Sequence, residues 1–124
     1  MNVVLWVLAF ALAAVFAASG IMKLTVPREK LIERTPYAAD LPHSVVLAIG
    51  VVEVLGAAGL LLPGLLGIAP VLVPLAAAGL AITMALAFLT HIRRGDQLAQ
   101  TLPAIVLLVL STLLAWGRFG PYPL

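Results

Sequence analysis

The sequence predicts an all-α fold, an integral membrane four-helix bundle, and three observations predict it. Hydrophobic residues make up 64% of the 124 positions and charged residues only 10%, where a soluble domain carries about 25% charged residues. Four apolar stretches each come close to the roughly 20 residues that cross a bilayer as a helix. None of the four alternates polar with apolar residues, as a transmembrane β-strand does, and in lipid a lone segment satisfies its backbone only as a helix.

The first span is expected over residues 3–24. Ala17-Ala18-Ser19 are small enough for a signal cleavage site, but no Lys or Arg precedes Leu5 and the apolar run is too long for a signal core. It therefore reads as a retained helix. The second span covers 44–62 and is expected to stop at Pro63-Gly64. The third covers 71–91, with Pro74 in its first turn, where a missing N–H costs little. The fourth covers 102–117, with Pro103 in the same part, and is short enough to need tilting or snorkelling ends. Residues 1–124 form one domain on this reading.

The connections differ in character. Residues 25–43 form the longest and most charged loop. Within it, Pro27 to Arg34 reads as helical turns on the membrane surface, with Pro27 at the first helical position and Leu31 and Ile32 dipping into lipid. The 63–70 loop is tight and apolar, and 92–101 is a short polar turn containing Arg93-Arg94-Gly95-Asp96. Lys23, Arg28, Lys30, Arg34, Arg93 and Arg94 fall on one side of the membrane, and Arg118 with the N-terminal amine on the other. The positive-inside rule then places loops 25–43 and 92–101 in the cytoplasm and both termini outside. A net charge of +2 argues against nucleic acid as a partner. The absence of cysteine excludes dithiol, iron–sulfur and thiolate chemistry in this chain.

Small residues mark the expected helix contacts. Ala9, Ala13 and Ala17 recur at i+4, Gly56 and Gly59 lie one turn apart, and Gly79, Thr83 and Ala87 recur at i+4. With Gly20 and Gly50, these glycines are the expected packing positions, because small residues let helices approach closely in lipid.

Glu53 is the most informative residue. It lies nine residues after Ser44, roughly 14 Å along a helix, near the centre of a hydrocarbon core about 30 Å thick. A charge at that depth is costly unless paired, protonated or wetted. Gly50, Glu53 and Ala57 share a helix face, so the carboxyl is expected to face a helix or a cavity. Thr83, at similar depth, is a candidate hydrogen-bond partner, and Ser111 and Thr112 supply hydroxyls in the fourth span. Lys23 and His91 lie at the charged end, and with Glu53 they suggest a polar track into the bundle. Counted along the helices, Lys23 is shallower than Glu53, so direct contact needs a tilt or offset and water is the alternative bridge. The ligand-binding or proton-handling candidates are thus Glu53, Lys23, His91 and Thr83. Three plainer readings stand beside them: Glu53 as a structural pin or a subunit contact, His91 as an interfacial residue beside two arginines, and Arg118 as a snorkelling anchor. Trp116 and Tyr122 read as an aromatic belt. No metal-ligand spacing, haem-ligand pair or phosphate loop is present in the sequence.

Four motifs resemble the DoxX-like family. They are Phe16-x-x-Ser19-Gly20-x-x-Lys23-Leu24, Gly50-x-x-Glu53-x-x-Gly56-x-x-Gly59-Leu60-x-x-Pro63, His91-x-Arg93-Arg94-Gly95 and Ala115-Trp116-Gly117-Arg118. The resemblance implies a small four-helix protein of the bacterial inner membrane, and its recurrent polar residues match Lys23, Glu53, His91 and Arg118. The family's namesakes include the membrane subunit of a thiosulfate:quinone oxidoreductase. Without cysteine, any electron transfer here would need a bound quinone or a partner redox subunit, whether membrane-embedded or peripheral. The primary functional reading is a redox-associated accessory protein binding a lipid-like ligand or partner subunit in its bundle. One alternative is a membrane component of a quinone-linked oxidoreductase, with Glu53 or His91 hydrogen-bonding the quinone or relaying its proton. Another is a small transporter or proton path, although no inverted repeat is visible and a homo-oligomer would be needed to make room for a pore. No complete catalytic constellation is legible.

Overall fold

The computed structural model describes residues 1–124. Four long helices dominate it: α1 (Asn2–Thr25), α3 (His43–Leu66), α4 (Leu72–Arg94) and α5 (Leu98–Phe119). Each is long and apolar enough to cross a membrane. A short helix, α2 (Arg28–Arg34), and a 3-10 turn (Pro36–Asp40) fill the first loop. There are no strands. Val7, Phe10, Leu55, Ile82 and Val109 project outward from the long helices, as surfaces solvated by lipid require.

The helices form a ring in which α1 packs on α3, α3 on α4 and α4 on α5, and α5 closes against α1 less extensively. The two ends of the ring differ. At the end holding the chain termini, Leu5, Leu12 and Phe16 of α1 meet Leu60 of α3, Leu80 of α4 and Leu114 of α5 in a dry core. At the charged-loop end, the core gives way to a cavity.

Helix ends depart from the expected spans. The second span passes through Pro63 and continues to Leu66. It stops at Gly67, whose φ of +67° permits a left-handed cap with its N–H on the Pro63 carbonyl. Neighbouring helices tolerate such a proline in a membrane helix. The third span runs on to Arg94 and ends at Gly95, also left-handed. The fourth begins at Leu98, so Pro103 sits inside the helix and not at its start. It has 22 residues, roughly 33 Å at 1.5 Å per residue, and needs no exceptional tilt. A helix does not end where lipid ends, because its polar first turn can stand in the interface.

The first loop also differs in detail. Pro27 is the N-cap of α2, one position before the first helical residue. Leu31 does not dip into lipid. It is fully buried against Ala38 and Val46, so α2 and the 3-10 turn fold onto the mouth of the bundle.

Four of the five glycines expected at helix contacts lie at close approaches. A Cβ on Gly20 would fall 2.7 Å from the Gly50 carbonyl oxygen, and one on Gly50 would fall 3.0 Å from that of Gly20. Gly56 abuts Leu80 and Gly59 abuts Ala76. Gly79 is the exception: it is exposed, and a Cβ there would meet nothing within 4 Å. The i+4 row of Gly79 and Thr83 lies off the line of contact between α4 and α3, which runs through Ala76 and Leu80.

These contacts set a prediction. Gly20→Ala forces Cβ against backbone that cannot yield and is expected to cost about 1–3 kcal/mol. Gly79→Ala is expected to be neutral or to stabilise by about 0.5–1 kcal/mol. Unfolding in mixed detergent micelles measures both, and equal effects would show that the α1–α3 crossing is not tight.

Candidate functional site

A cavity of about 640 Å³ opens in the charged-loop half of the bundle. Ser19 and Lys23 reach it from α1, Ile49 and Glu53 from α3, Met84, Ala87 and His91 from α4, and Ala99, Pro103 and Leu107 from α5. Late residues of α1 and α4 thus meet early residues of α3 and α5, which makes neighbouring helices antiparallel. Thr35 to Tyr37 cover the cavity from the first loop.

Lys23 and Glu53 form its polar floor. Lys23 Nζ lies 2.7 Å from Glu53 Oε1, with the side chains only 6% and 2% exposed. It also donates a 2.7 Å hydrogen bond to Ser19 Oγ. The contact is direct, with no water needed, although the two Cα atoms sit at different depths. Side chains lean toward their own helix N-terminus. On antiparallel helices Lys23 therefore leans inward and Glu53 leans outward, and they meet. The Gly20–Gly50 crossing supplies the clearance: a Cβ on Gly50 would fall 3.0 Å from Lys23 Cβ.

His91 lines the same cavity and sits closer to the charged loops. Its Nδ1 is 2.7 Å from Asp96 Oδ2, and its ring meets Tyr37 edge-on at 5.5 Å. Arg94 donates from Nε to Asp96 and pairs through Nη1 with Asp40 of the 3-10 turn. His91 is therefore part of a network that ties the first loop to the α4–α5 corner. The hydrogen bond from His91, with those from Arg94 added, holds the Asp96 carboxyl below its usual range.

Thr83 also lines the cavity, but its hydroxyl donates to the Gly79 carbonyl of its own helix at 2.9 Å. The expected bond to Glu53 is not made, because the i−4 carbonyl is always within reach of a helical threonine. Thr90 uses its hydroxyl in the same way. Ser111 is buried without a partner and Thr112 is exposed; neither lines this cavity.

Arg118 is not a snorkelling anchor. It is 3% exposed and belongs to the opposite end of the bundle, with Asn2, Trp6 and Tyr122. Trp116 is exposed and packs edge-on against Tyr122 at 6.4 Å.

Several lining groups were not singled out from the sequence. Ser19 is one turn before Lys23, a spacing that signals a shared face. Asp96 follows His91 by five residues across Gly95, and the left-handed cap folds the chain back onto that histidine. Pro103 has no N–H, so the Ala99 carbonyl lacks its helical i+4 donor, and both residues line the cavity. Tyr37 and Gln100 carried no such signal. Chemically, the site offers two cations, two carboxylates, an imidazole and a phenol beside aliphatic side chains.

Two predictions follow from the geometry. Lys23→Met and Glu53→Gln should each destabilise by about 3–5 kcal/mol, since each strands a buried partner, while the double variant should recover most of the loss. Unfolding of the four proteins checks this, and additive single effects would deny the coupling. The second concerns acid. Asp96 ionises more readily folded than unfolded, so its contribution is complete above about pH 4 and is lost as pH falls through the lowered folded value. An acid titration followed by circular dichroism should show that loss in the wild type and a flatter profile in Asp96→Asn.

No curated protein and no solved structure shows a significant match to the chain. The sequence pattern of the DoxX-like family matches residues 7–114. That stretch contains Lys23, Glu53 and His91 and nearly all of the four long helices, and the chain is a multi-pass membrane protein belonging to the DoxX-like family.

Proposed function

We propose that this protein binds a small amphipathic molecule inside its bundle, with the Lys23–Glu53 pair as the polar anchor. One observation carries the reading: a cavity of about 640 Å³ has a buried ion pair in a wall that combines aliphatic side chains with polar ones. That volume lies within the roughly 300–1,000 Å³ of small-molecule sites, which combine apolar walls with a few convergent polar groups.

A quinone fits this donor set. Its head needs hydrogen bonds at its carbonyl oxygens and a flat apolar slot between them. Lys23, Ser19, Tyr37 and His91 are donors on the cavity wall, and Ile49, Met84, Ala87 and Leu107 are its aliphatic faces. A bound quinone would supply two-electron redox chemistry that a chain without cysteine or metal ligands does not carry. The protein's part is to seat the ring, exclude bulk water and relay protons through Glu53 and His91. In this reading it serves as an accessory or membrane component beside a partner redox subunit. It lies in a bacterial inner membrane with the cavity toward the cytoplasm, as the placement of the cationic residues favours.

Transport is the weaker reading. Leu5, Leu12, Phe16, Leu60, Leu80 and Leu114 fill the other half of the bundle and are essentially unexposed, which favours a closed binding site over a path.

The test is gentle purification from the native membrane, followed by mass spectrometry of bound small molecules. A quinone should accompany the wild type. It should fall roughly tenfold, the equivalent of about 1.4 kcal/mol in affinity, in Glu53→Gln. Ala87→Leu serves as a companion, since it fills the cavity and leaves the ion pair intact. A wild type without quinone, and with no thermal response to added quinone, would end the quinone reading. If Ala87→Leu also retained every small molecule that the wild type holds, the cavity would not be the binding site.

A further inference from the structure

Arg118 presents a second and independent problem at the other end of the bundle. Its guanidinium is 3% exposed, yet none of the four ion pairs of the chain includes it. Its acceptors are neutral: Nη1 donates to Asn2 Oδ1 at 2.6 Å and to the Tyr122 carbonyl at 3.0 Å. The Trp6 ring lies 5.6 Å away and faces the cation, but carries no net charge. Both hydrogen bonds leave from Nη1, and Nε is buried with no partner. The Nε–Nη2 edge, the fork that grips an oxyanion with two parallel hydrogen bonds, is unused within the protein.

That residue also lines a cavity of about 360 Å³, bounded by Pro70, Val71, Pro74, Phe119, Pro123 and Leu124. The first turn of α4 borders it, so the positive end of a 23-residue helix adds to its potential. The walls are otherwise apolar, and Val71, Leu72 and Leu75 beside them are exposed on the lipid-facing surface.

We propose that Arg118 binds a phosphate-type oxyanion in this cavity, and the apolar walls favour the headgroup phosphate of an anionic membrane lipid. A cation buried without an anion is costly. A phosphate supplies the missing charge and takes both free N–H groups at once. The acyl chains of its lipid would continue along the exposed face of α4. The site is distinct from the Lys23–Glu53 cavity, where the cation already has its carboxylate.

The test uses the whole protein, stripped of lipid in an uncharged detergent. Thermal unfolding is measured with phosphatidylglycerol, with inorganic phosphate, and with diacylglycerol as the phosphate-free control. Native mass spectrometry counts the adducts. Wild type should be stabilised by phosphatidylglycerol and bind it roughly tenfold more tightly than Arg118→Gln does. Because Arg118 also braces Asn2 and Tyr122, that variant can fail for structural reasons. Val71→Glu avoids the difficulty: it adds a tethered carboxylate at an exposed wall position, so it should fold and lose the lipid response. A response to phosphatidylglycerol alone identifies a lipid headgroup, and an equal response to inorganic phosphate identifies a free-anion site. The proposal is overturned if neither anion stabilises the wild type. It is equally overturned if diacylglycerol acts as well as phosphatidylglycerol, or if Val71→Glu responds as the wild type does.

Discussion

The buried pair of Lys23 and Glu53 is the constraint on which the charged-loop half of the molecule depends. Two charges at 2.7 Å with almost no exposure are tolerable in a low-dielectric interior only because each is the other's solvent. Their meeting requires antiparallel helices, so that both side chains lean toward the contact. It also requires a crossing tight enough for the lysine stem to lie over Gly50. The pair therefore fixes the register of α1 against α3, and the Gly20–Gly50 contact is the steric condition for it. Buried ion pairs seldom stabilise a fold more than apolar residues of the same size would. The proposed role as a ligand anchor gives the pair a rationale that stability alone does not.

Around that pair the bundle divides into two tiers. The tier near the termini is filled by Leu5, Leu12, Phe16, Leu60, Leu80 and Leu114 and behaves as a packed core. The other tier encloses the cavity beside the tight Gly20–Gly50 crossing, and its polar groups are bound from above. Asp96 accepts from both His91 and Arg94, and Arg94 also holds Asp40. This chain of charge joins the 3-10 turn to the α4–α5 corner, while Leu31 anchors the same loop in a small apolar cluster with Ala38 and Val46. The cover of the cavity is thus fixed at one edge by charge and at the other by burial.

The four helices and the position of Glu53 were legible because hydropathy and depth are local properties of a sequence. Helix ends were less so. Pro63 and Pro103 look like boundaries in one dimension, yet the packed bundle carries α3 through one, and α5 begins five residues before the other. The direct Lys23–Glu53 contact was half visible. Depth counting put the two residues apart, and only the lean of side chains on antiparallel helices closes the gap. Gly79 shows the opposite failure: its i+4 spacing with Thr83 looks like a packing seam, but spacing does not say which stripe faces inward. Tyr37 was invisible, because its place over the cavity depends on how a charged loop folds back onto the bundle.

The two ends of the bundle solve the same electrostatic problem differently, and the difference bears on what each end is for. At the charged-loop end the lysine has an internal counter-ion, so a ligand arriving there meets a neutral pair and is selected by hydrogen bonding and shape. At the opposite end the arginine has only neutral acceptors and an aromatic face, so a ligand there is selected first by charge. The neutral head with carbonyl oxygens proposed for the first site and the oxyanion proposed for the second each match that difference. Neither exchange works well, since an anion in the large cavity would compete with Glu53 for Lys23, and a neutral molecule at Arg118 would leave the charge uncompensated. The chemistry of the two sites is therefore separable, even though α4 and α5 border both.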